Sequence, residues 1–366
     1  MNSSKWLAVI ASAAILALGV AACGDSEDST GSSSSGDLSG EVAGAGATSQ
    51  EAAQEAWIAN FENENSSVTI SYDPVGSGGG REQFNAGGVA YAGSDAAISE
   101  EEGEMKAAIK RCTPGELIEV PAYVSPIAII YNLPEVESLQ LSPETLAKIF
   151  NQEITQWNDK AIAADNPGVD LPDTRIVPVN RSDESGTTEN FAEYMSEVVP
   201  GVWDHEVSGD WPVKGGEAAS GTSGVVEAVA AGAGAIGYAD ASQAGELGIA
   251  KIQVGKNYVE PTPEAAAAIL EESPEDKALS GSKYMFPFAL DRKTESEGTY
   301  PIVLVSYLIA CTEYKSADEA AIVKGYLEYA ISPEGQEAAA ENAGSAPLSA
   351  SLTSKITPAV EAIKAG

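Results

Sequence analysis

The chain has 366 residues, 43% of them hydrophobic, which is enough for two domains with sizeable cores. Its 55 acidic and 20 basic residues give a formal charge of −35, and this excludes the basic footprint that nucleic-acid binding requires. One histidine and three cysteines leave few soft ligands for a metal, and none is expected.

The N-terminus speaks to compartment. Lys5 is the only charge before Asp25, and the apolar run Trp6 to Ala17 is followed by Val20-Ala21-Ala22-Cys23. This resembles a bacterial lipoprotein signal peptide, with residues 1–22 removed and Cys23 lipidated. A plain secretory signal or a membrane anchor is the other reading, but the run is short for a spanning helix. Residues 23–40 are rich in Ser, Gly and Asp and read as a flexible tether. In an exported chain the two remaining cysteines, Cys112 and Cys311, are expected to bond.

The first hundred residues beyond the tether alternate strand and helix. Val42 to Ser49 reads as a short strand ending in a turn, and Ala53, Ala56, Trp57 and Phe61 share one helical face. Val68 to Tyr72 alternates as a strand and runs into Val75-Gly76-Ser77-Gly78-Gly79-Gly80-Arg81, with a helical stretch to Phe84. Val89 to Gly93 is a further strand, ending in Ser94-Asp95-Ala96. This is the pattern of an α/β fold with a parallel sheet, whose ligands collect at strand C-termini.

Residues 104–112 read as a helix, and Glu119 to Tyr131 as an extended apolar crossing into a second domain. Ser142-Pro143 opens a helix ending near Phe150, and Gln156 to Asp159 is a turn. Arg175 to Val179 reads as a strand feeding the loop Asn180-Arg181-Ser182-Asp183-Glu184-Ser185-Gly186-Thr187-Thr188. The helix after it carries Phe191, Tyr194 and Met195 on one face. A strand, a hydroxyl- and glycine-rich turn, then a helix suits an anion, because the first-turn N–H groups lack intrahelical partners. Arg181 adds a cation with several donors. An ordinary helix cap with a surface arginine has the same sequence.

Gly221 to Gly224 precedes a helix, Val225 to Ala231. Gly232 to Gly237 matches G-x-G-x-x-G, but it follows a helix and enters a strand, the reverse of a dinucleotide site. Tyr300 to Val305 reads as the strand returning to the first domain, followed by helices over 320–330, 334–342 and 355–366. His205 lies in a polar stretch and reads as a surface residue, and no Gly-x-Ser-x-Gly elbow is present. These features assemble into a binder rather than a catalyst. Asp95 in an anion site repels a bare anion, but it accepts from one that carries a proton. Hydrogen phosphate can donate to it and sulfate cannot.

The chain resembles the phosphate-binding protein of bacterial ABC phosphate importers over residues 41–350. The resemblance rests on Gly44 to Thr48, Gly76 to Gly80, Ala92 to Ala96, Ile149-Phe150 with Ile154 to Asp159, Arg181 to Thr187, Gly234 to Tyr238 and Ala346 to Leu348. It implies a two-lobed periplasmic-binding-protein fold of type II, each lobe a mixed, mostly parallel sheet flanked by helices, joined by two hinge crossings. Lobe 1 would comprise 41–125 plus 299–366, and lobe 2 126–298. Thr48, Ser49, Ser77, Asp95, Arg181, Ser185, Gly186 and Thr187 would hold inorganic phosphate. Asp183 would brace Arg181, and Ser94 would support the site. The implied partners are an ABC permease and ATPase complex, with a lipid-anchored monomer on the extracytoplasmic face of the cell membrane. Another tetrahedral oxyanion as ligand, or a phosphatase on the same scaffold, are the alternatives. Two departures stand out: Ser49 where the family often has Phe, and Glu184 where it often has Gly. An acidic Glu184 must point away from the ligand.

Overall fold

The computed structural model describes residues 38–99 and 103–366. The signal segment 1–22, Cys23 and the tether up to residue 37 lie outside the described residues. No described helix is long and apolar enough to cross a membrane.

Four early strands organise the first part of a large mixed sheet: β1 (Gly40–Gly46), β2 (Val68–Asp73), β3 (Tyr91–Ser94) and β4 (Leu117–Tyr131). β1 begins at Gly40, the last residue of the expected tether. β1 pairs in parallel with β2 and β3. The strand Val303–Cys311 inserts antiparallel between β3 and β4. β4 is buried along its whole length. Its first part pairs with Val303–Cys311 and its last five residues pair with Ala235–Asp240. Beyond that, Val177–Arg181 and Glu217–Ala219 add in parallel. The sheet therefore has two halves, and β4 belongs to both.

Several elements depart from their expected bounds. The returning strand is Val303–Cys311, not Tyr300–Val305, because Pro301 cannot donate to a ladder. The strand before Arg181 covers Val177–Arg181, so Arg181 closes the strand and does not open the loop. The last helix is Ala350–Glu361, capped by Ser349, and residues 364–365 pair with Glu313–Tyr314 as a short strand. The helix Gly221–Ala231 begins at its first glycine, not at Val225. The helix Pro263–Glu272, capped by Thr262, was not anticipated.

The helices that bear on the site are α1 (Glu51–Glu64), α2 (Ser77–Ala86) and α3 (Glu104–Cys112). The glycine run, expected to lead into a helical stretch, lies inside α2 itself. A Cβ on Gly80 would come 2.4 Å from the Gly46 Cα and 2.7 Å from the Ala45 carbonyl oxygen. Only glycine lets α2 press on the end of β1, and this brings Ser77 close to the segment carrying Thr48. Cys112 and Cys311, at the ends of α3 and of the strand Val303–Cys311, form a disulfide.

In the other half, the helix Gly186–Val198 is seated on an aromatic cluster. Phe191 lies 5.0 Å from Phe150 and 4.8 Å from Tyr238 between ring centroids, and it stacks on Trp211. Phe191, Tyr194 and Met195 are fully buried, as their spacing predicts. Truncating Phe191 to alanine would cost about 3–5 kcal/mol, so the helix is firmly placed and its N-terminus with it. His205 is half-buried, not a plain surface residue. Its ring packs edge-on to Trp203 and its Nε2 meets Asn151 Oδ1 at 2.8 Å.

Candidate functional site

Each half of the sheet delivers residues to one cluster. From the first half come Thr48 and Ser49, in a single 3-10 turn after β1. Ser77 opens α2, and Asp95 follows β3. From the second come Arg181 at a strand end, Ser185 as N-cap, and Gly186 and Thr187 in the first turn of the helix. Thr48, Ser49, Ser77, Asp95, Arg181, Ser185 and Thr187 are all buried.

The contacts cross between the halves. Thr187 Oγ1 donates to Asp95 Oδ2 at 2.9 Å, and Asn190 Nδ2 donates to the Asp95 carbonyl at 2.8 Å. The Thr222 N–H donates to Thr48 Oγ1 at 3.1 Å, and Gln243 Nε2 to the Thr48 carbonyl at 3.0 Å. Gly186 is pressed so closely that a Cβ there would lie 2.7 Å from the Asp95 Cβ and 2.9 Å from Ser77 Oγ.

Asp95 is a 2%-exposed carboxylate surrounded by hydroxyls. Ser49 Oγ donates to its two oxygens at 2.7 and 2.8 Å, and Ser306 Oγ donates to Oδ1 at 2.6 Å. The Asp95 N–H donates to Ser77 Oγ at 3.1 Å. Ser49, at the position that departs from the family, thus uses its hydroxyl on the carboxylate.

Arg181 is 3% exposed and its fork grips Asp183, through Nε at 2.8 Å and through Nη2. Burial alone would raise the Asp183 carboxyl, but the hydrogen bond and charge of Arg181, with the Gly221 N–H, hold it below the usual carboxylate range. The Arg181 N–H donates to Tyr238 Oη at 3.2 Å, which also meets Thr188 Oγ1 at 2.7 Å. Ser185 Oγ accepts from the Thr188 N–H at 3.3 Å, a conventional cap. The N–H groups of Gly186 and Thr187 stand in the first turn, with no carbonyl four residues back inside the helix.

Glu184 turns toward α2, where a Cβ on Gly78 would come 1.0 Å from its Oε2. Its Oε1 accepts from Arg81 Nη2 at 2.9 Å. Arg81 Nε donates to Glu104 at 2.5 Å and Nη1 to Ser94 Oγ at 2.8 Å. Ser94 Oγ in turn donates to the Ala96 carbonyl at 2.6 Å. Burial raises the Glu184 carboxyl, partly offset by Arg81. Burial likewise pushes Glu189 up to about 7, against the pull of Arg81.

Sequence reasoning did not find Ser306, Thr222, Asn190, Tyr238 or Arg81. The Gly221-Thr222-Ser223-Gly224 run before a helix carries the same hydroxyl- and glycine-rich signal as the loop Asn180 to Thr188. Ser306, inside an apolar strand, carried none.

Residues 31–334 match the family model of the PBP superfamily domain. Phosphate-binding protein PstS2 of Mycobacterium bovis is 35% identical, over 96% of this chain and 98% of the relative. Phosphate-binding protein PstS 3 of Mycobacterium leprae is 34% identical, over 93% and 94%. In structure, the chain is similar to a high affinity periplasmic phosphate-binding protein (PfluDING) bound with phosphate, with TM-score 0.69 and 22% identity over 87% of this chain and 93% of that one. The chain belongs to the family of these phosphate-binding proteins, and its fold is the periplasmic-binding-protein fold that the sequence led us to expect.

Proposed function

We propose that the chain binds inorganic phosphate between the two halves of the sheet and delivers it to the permease of an ABC importer. The observation that carries this is the meeting of Asp95 with the first turn of the helix Gly186–Val198, beside Arg181. Helix N–H groups and a guanidinium attract an oxyanion, while a carboxylate tolerates only one that can donate a proton. Asp183 occupies Nε and Nη2 of Arg181, leaving Nη1 for the ligand. Thr48, Ser49, Ser77, Ser185, Gly186 and Thr187 complete the ring of donors. Ser49 and Thr187 turn from Asp95 to the anion when it enters.

The lobes are residues 41–125 plus 299–366 and residues 126–298. They part at the middle of β4 and just before the strand Val303–Cys311. Opening there admits phosphate and closing encloses it. The protein is a carrier and not a catalyst, and a chromogenic phosphate ester should not turn over. It acts as a monomer outside the cytoplasm, anchored by lipid on Cys23.

Titration calorimetry tests the reading. Phosphate and arsenate bind with one site each, and sulfate gives no heat. Asp95→Asn, which can donate, admits sulfate. Sulfate binding with phosphate silent would overturn the assignment.

A further inference from the structure

Behind Asp95 runs a file of fully buried polar side chains that ends on its carboxylate. Ser306, Gln50, Gln54, Tyr91 and Tyr326 are each 0% exposed. Ser306 Oγ donates to Asp95 Oδ1 at 2.6 Å. Gln50 Nε2 lies 2.5 Å from Ser306 Oγ and 3.1 Å from the Tyr307 carbonyl. Gln54 Nε2 lies 2.8 Å from Gln50 Oε1. Gln54 Oε1 receives the hydroxyls of Tyr326 at 2.6 Å and Tyr91 at 3.2 Å.

The direction of every bond follows from one group. The Tyr307 carbonyl can only accept, so the Gln50 end facing it must be the amide nitrogen. Its oxygen therefore faces Gln54, which must donate. The Gln54 oxygen then faces the two tyrosines, which must donate in turn. Toward the site, Ser306 Oγ accepts from Gln50, and its own proton goes to Asp95. Burial raises both phenols far above neutral, so they keep their protons at any working pH.

A file with one fixed direction has a consequence for its last member. If Asp95 carried a proton toward Ser306, the Ser306 hydroxyl proton would lose its acceptor in a dry interior, and that is costly. Each earlier bond would have to reverse to relieve it, and the Tyr307 carbonyl forbids this. The room for the file is also built in. A Cβ on Gly93 would come 2.7 Å from Gln50 Oε1.

We propose that Tyr91, Tyr326, Gln54, Gln50 and Ser306 form a one-way hydrogen-bond relay that holds Asp95 as a pure acceptor and so sets the selectivity for a protonated oxyanion. The relay rests on the phosphate reading, and it makes Ser306, Gln50 and Gln54 positioning residues that never touch the ligand.

The test measures phosphate and sulfate dissociation constants for the full exported chain and for Ser306→Ala, Ser306→Thr and Gln54→Met, with thermal unfolding of each. Loss of the Ser306 donor should narrow the phosphate-to-sulfate ratio by about tenfold or more, the scale of one hydrogen bond to a charge. Ser306→Thr, which keeps a hydroxyl, should restore the ratio. Gln54→Met, two bonds from Asp95, should narrow it in the same direction by a smaller factor. A structural role alone would lower the unfolding temperature and leave the ratio constant. An unchanged ratio in both Ser306→Ala and Gln54→Met, in a parent that prefers phosphate, overturns the relay and leaves the phosphate reading standing. A parent that prefers sulfate, or binds neither anion, overturns the phosphate reading and the relay with it.

Discussion

Gly186→Ala separates binding from stability, because the space it invades lies between the halves of the sheet. The new Cβ would come 2.7 Å from the Asp95 Cβ, 2.8 Å from the Ala96 nitrogen and 2.9 Å from Ser77 Oγ. Two of those atoms belong to a short, buried Cβ or backbone segment that cannot swing aside. Overpacking of this kind costs about 1–3 kcal/mol, and with the proposed hinge it falls on the closed form alone, since parting the two halves removes those neighbours. The dissociation constant for phosphate should rise roughly 5- to 150-fold. Within its own half, Gly186 is the first residue of a helix, where alanine is the better helix former by up to ~1 kcal/mol. The ligand-free protein should therefore unfold at the same or a slightly higher temperature. Calorimetric titration paired with thermal unfolding, with and without phosphate, reads both effects. A phosphate affinity within twofold of the parent would refute the reasoning, as would a large loss of stability in the absence of ligand.

Two further outcomes follow from groups away from the ligand. Glu119 is fully buried, with Oε1 accepting from the Ile98 N–H at 2.8 Å and Oε2 without a partner among the described residues. Burial pushes its carboxyl up to about 8, against the pull of the Ile98 N–H and Arg81. The unfolded chain ionises near 4.5 and the folded chain holds its proton to about 8. Its contribution is therefore full below the lower value and is lost as pH rises through the higher one, at up to about 1.4 kcal/mol per pH unit. Glu119→Gln should flatten the fall in denaturation midpoint between pH 5 and pH 8, and an unaltered slope would count against this. Reducing the Cys112–Cys311 disulfide opens a loop of 199 residues. The chain-entropy scale for such a loop is about 5 kcal/mol, and measured losses run about 2–5. Unfolding with and without reductant should differ by that range, and coincident curves would refute it.

The ends of strands were legible in the sequence, and candidate residues from both halves of the sheet meet at Asp95. Thr48, Ser77, Asp95 and Arg181 each follow a run of period-two or continuous apolar residues, and small polar residues after such runs collect at one edge of a sheet. The interior of α2 was not legible, because a run of three glycines reads as a loop when its purpose is close approach to β1. The relay was invisible for a different reason. Gln50 and Gln54 are four apart on the inward side of α1 and its preceding turn, yet Ala53, Trp57 and Phe61 carry the helical pattern. Two glutamines among them look like the solvent side. Their buried partners include Ser306, 256 residues beyond Gln50, and Tyr326, 272 residues beyond Gln54. The chemistry of a pair so distant along the chain is beyond any window of local pattern. The Glu184 orientation could be stated as a requirement, but its partner Arg81 is 103 residues upstream and had to be seen.

The strand Val303–Cys311 lies between β3 and β4, so the half of the sheet that the ribosome begins first is finished last. A nascent chain ending before about residue 303 has β1 beside β3 but nothing on the other edge of β3, and it lacks Cys311 for Cys112 and Ser306 for Asp95. Tyr326 arrives later still. The strands of the second half of the sheet, Val177–Arg181, Glu217–Ala219 and Ala235–Asp240, are synthesised entirely within that interval. The order of assembly thus leaves the hydrogen-bond shell of Asp95 incomplete until nearly the whole chain has been made. A chain crossing a membrane from its N-terminus carries the unfinished first half of the sheet through before the strand that completes it.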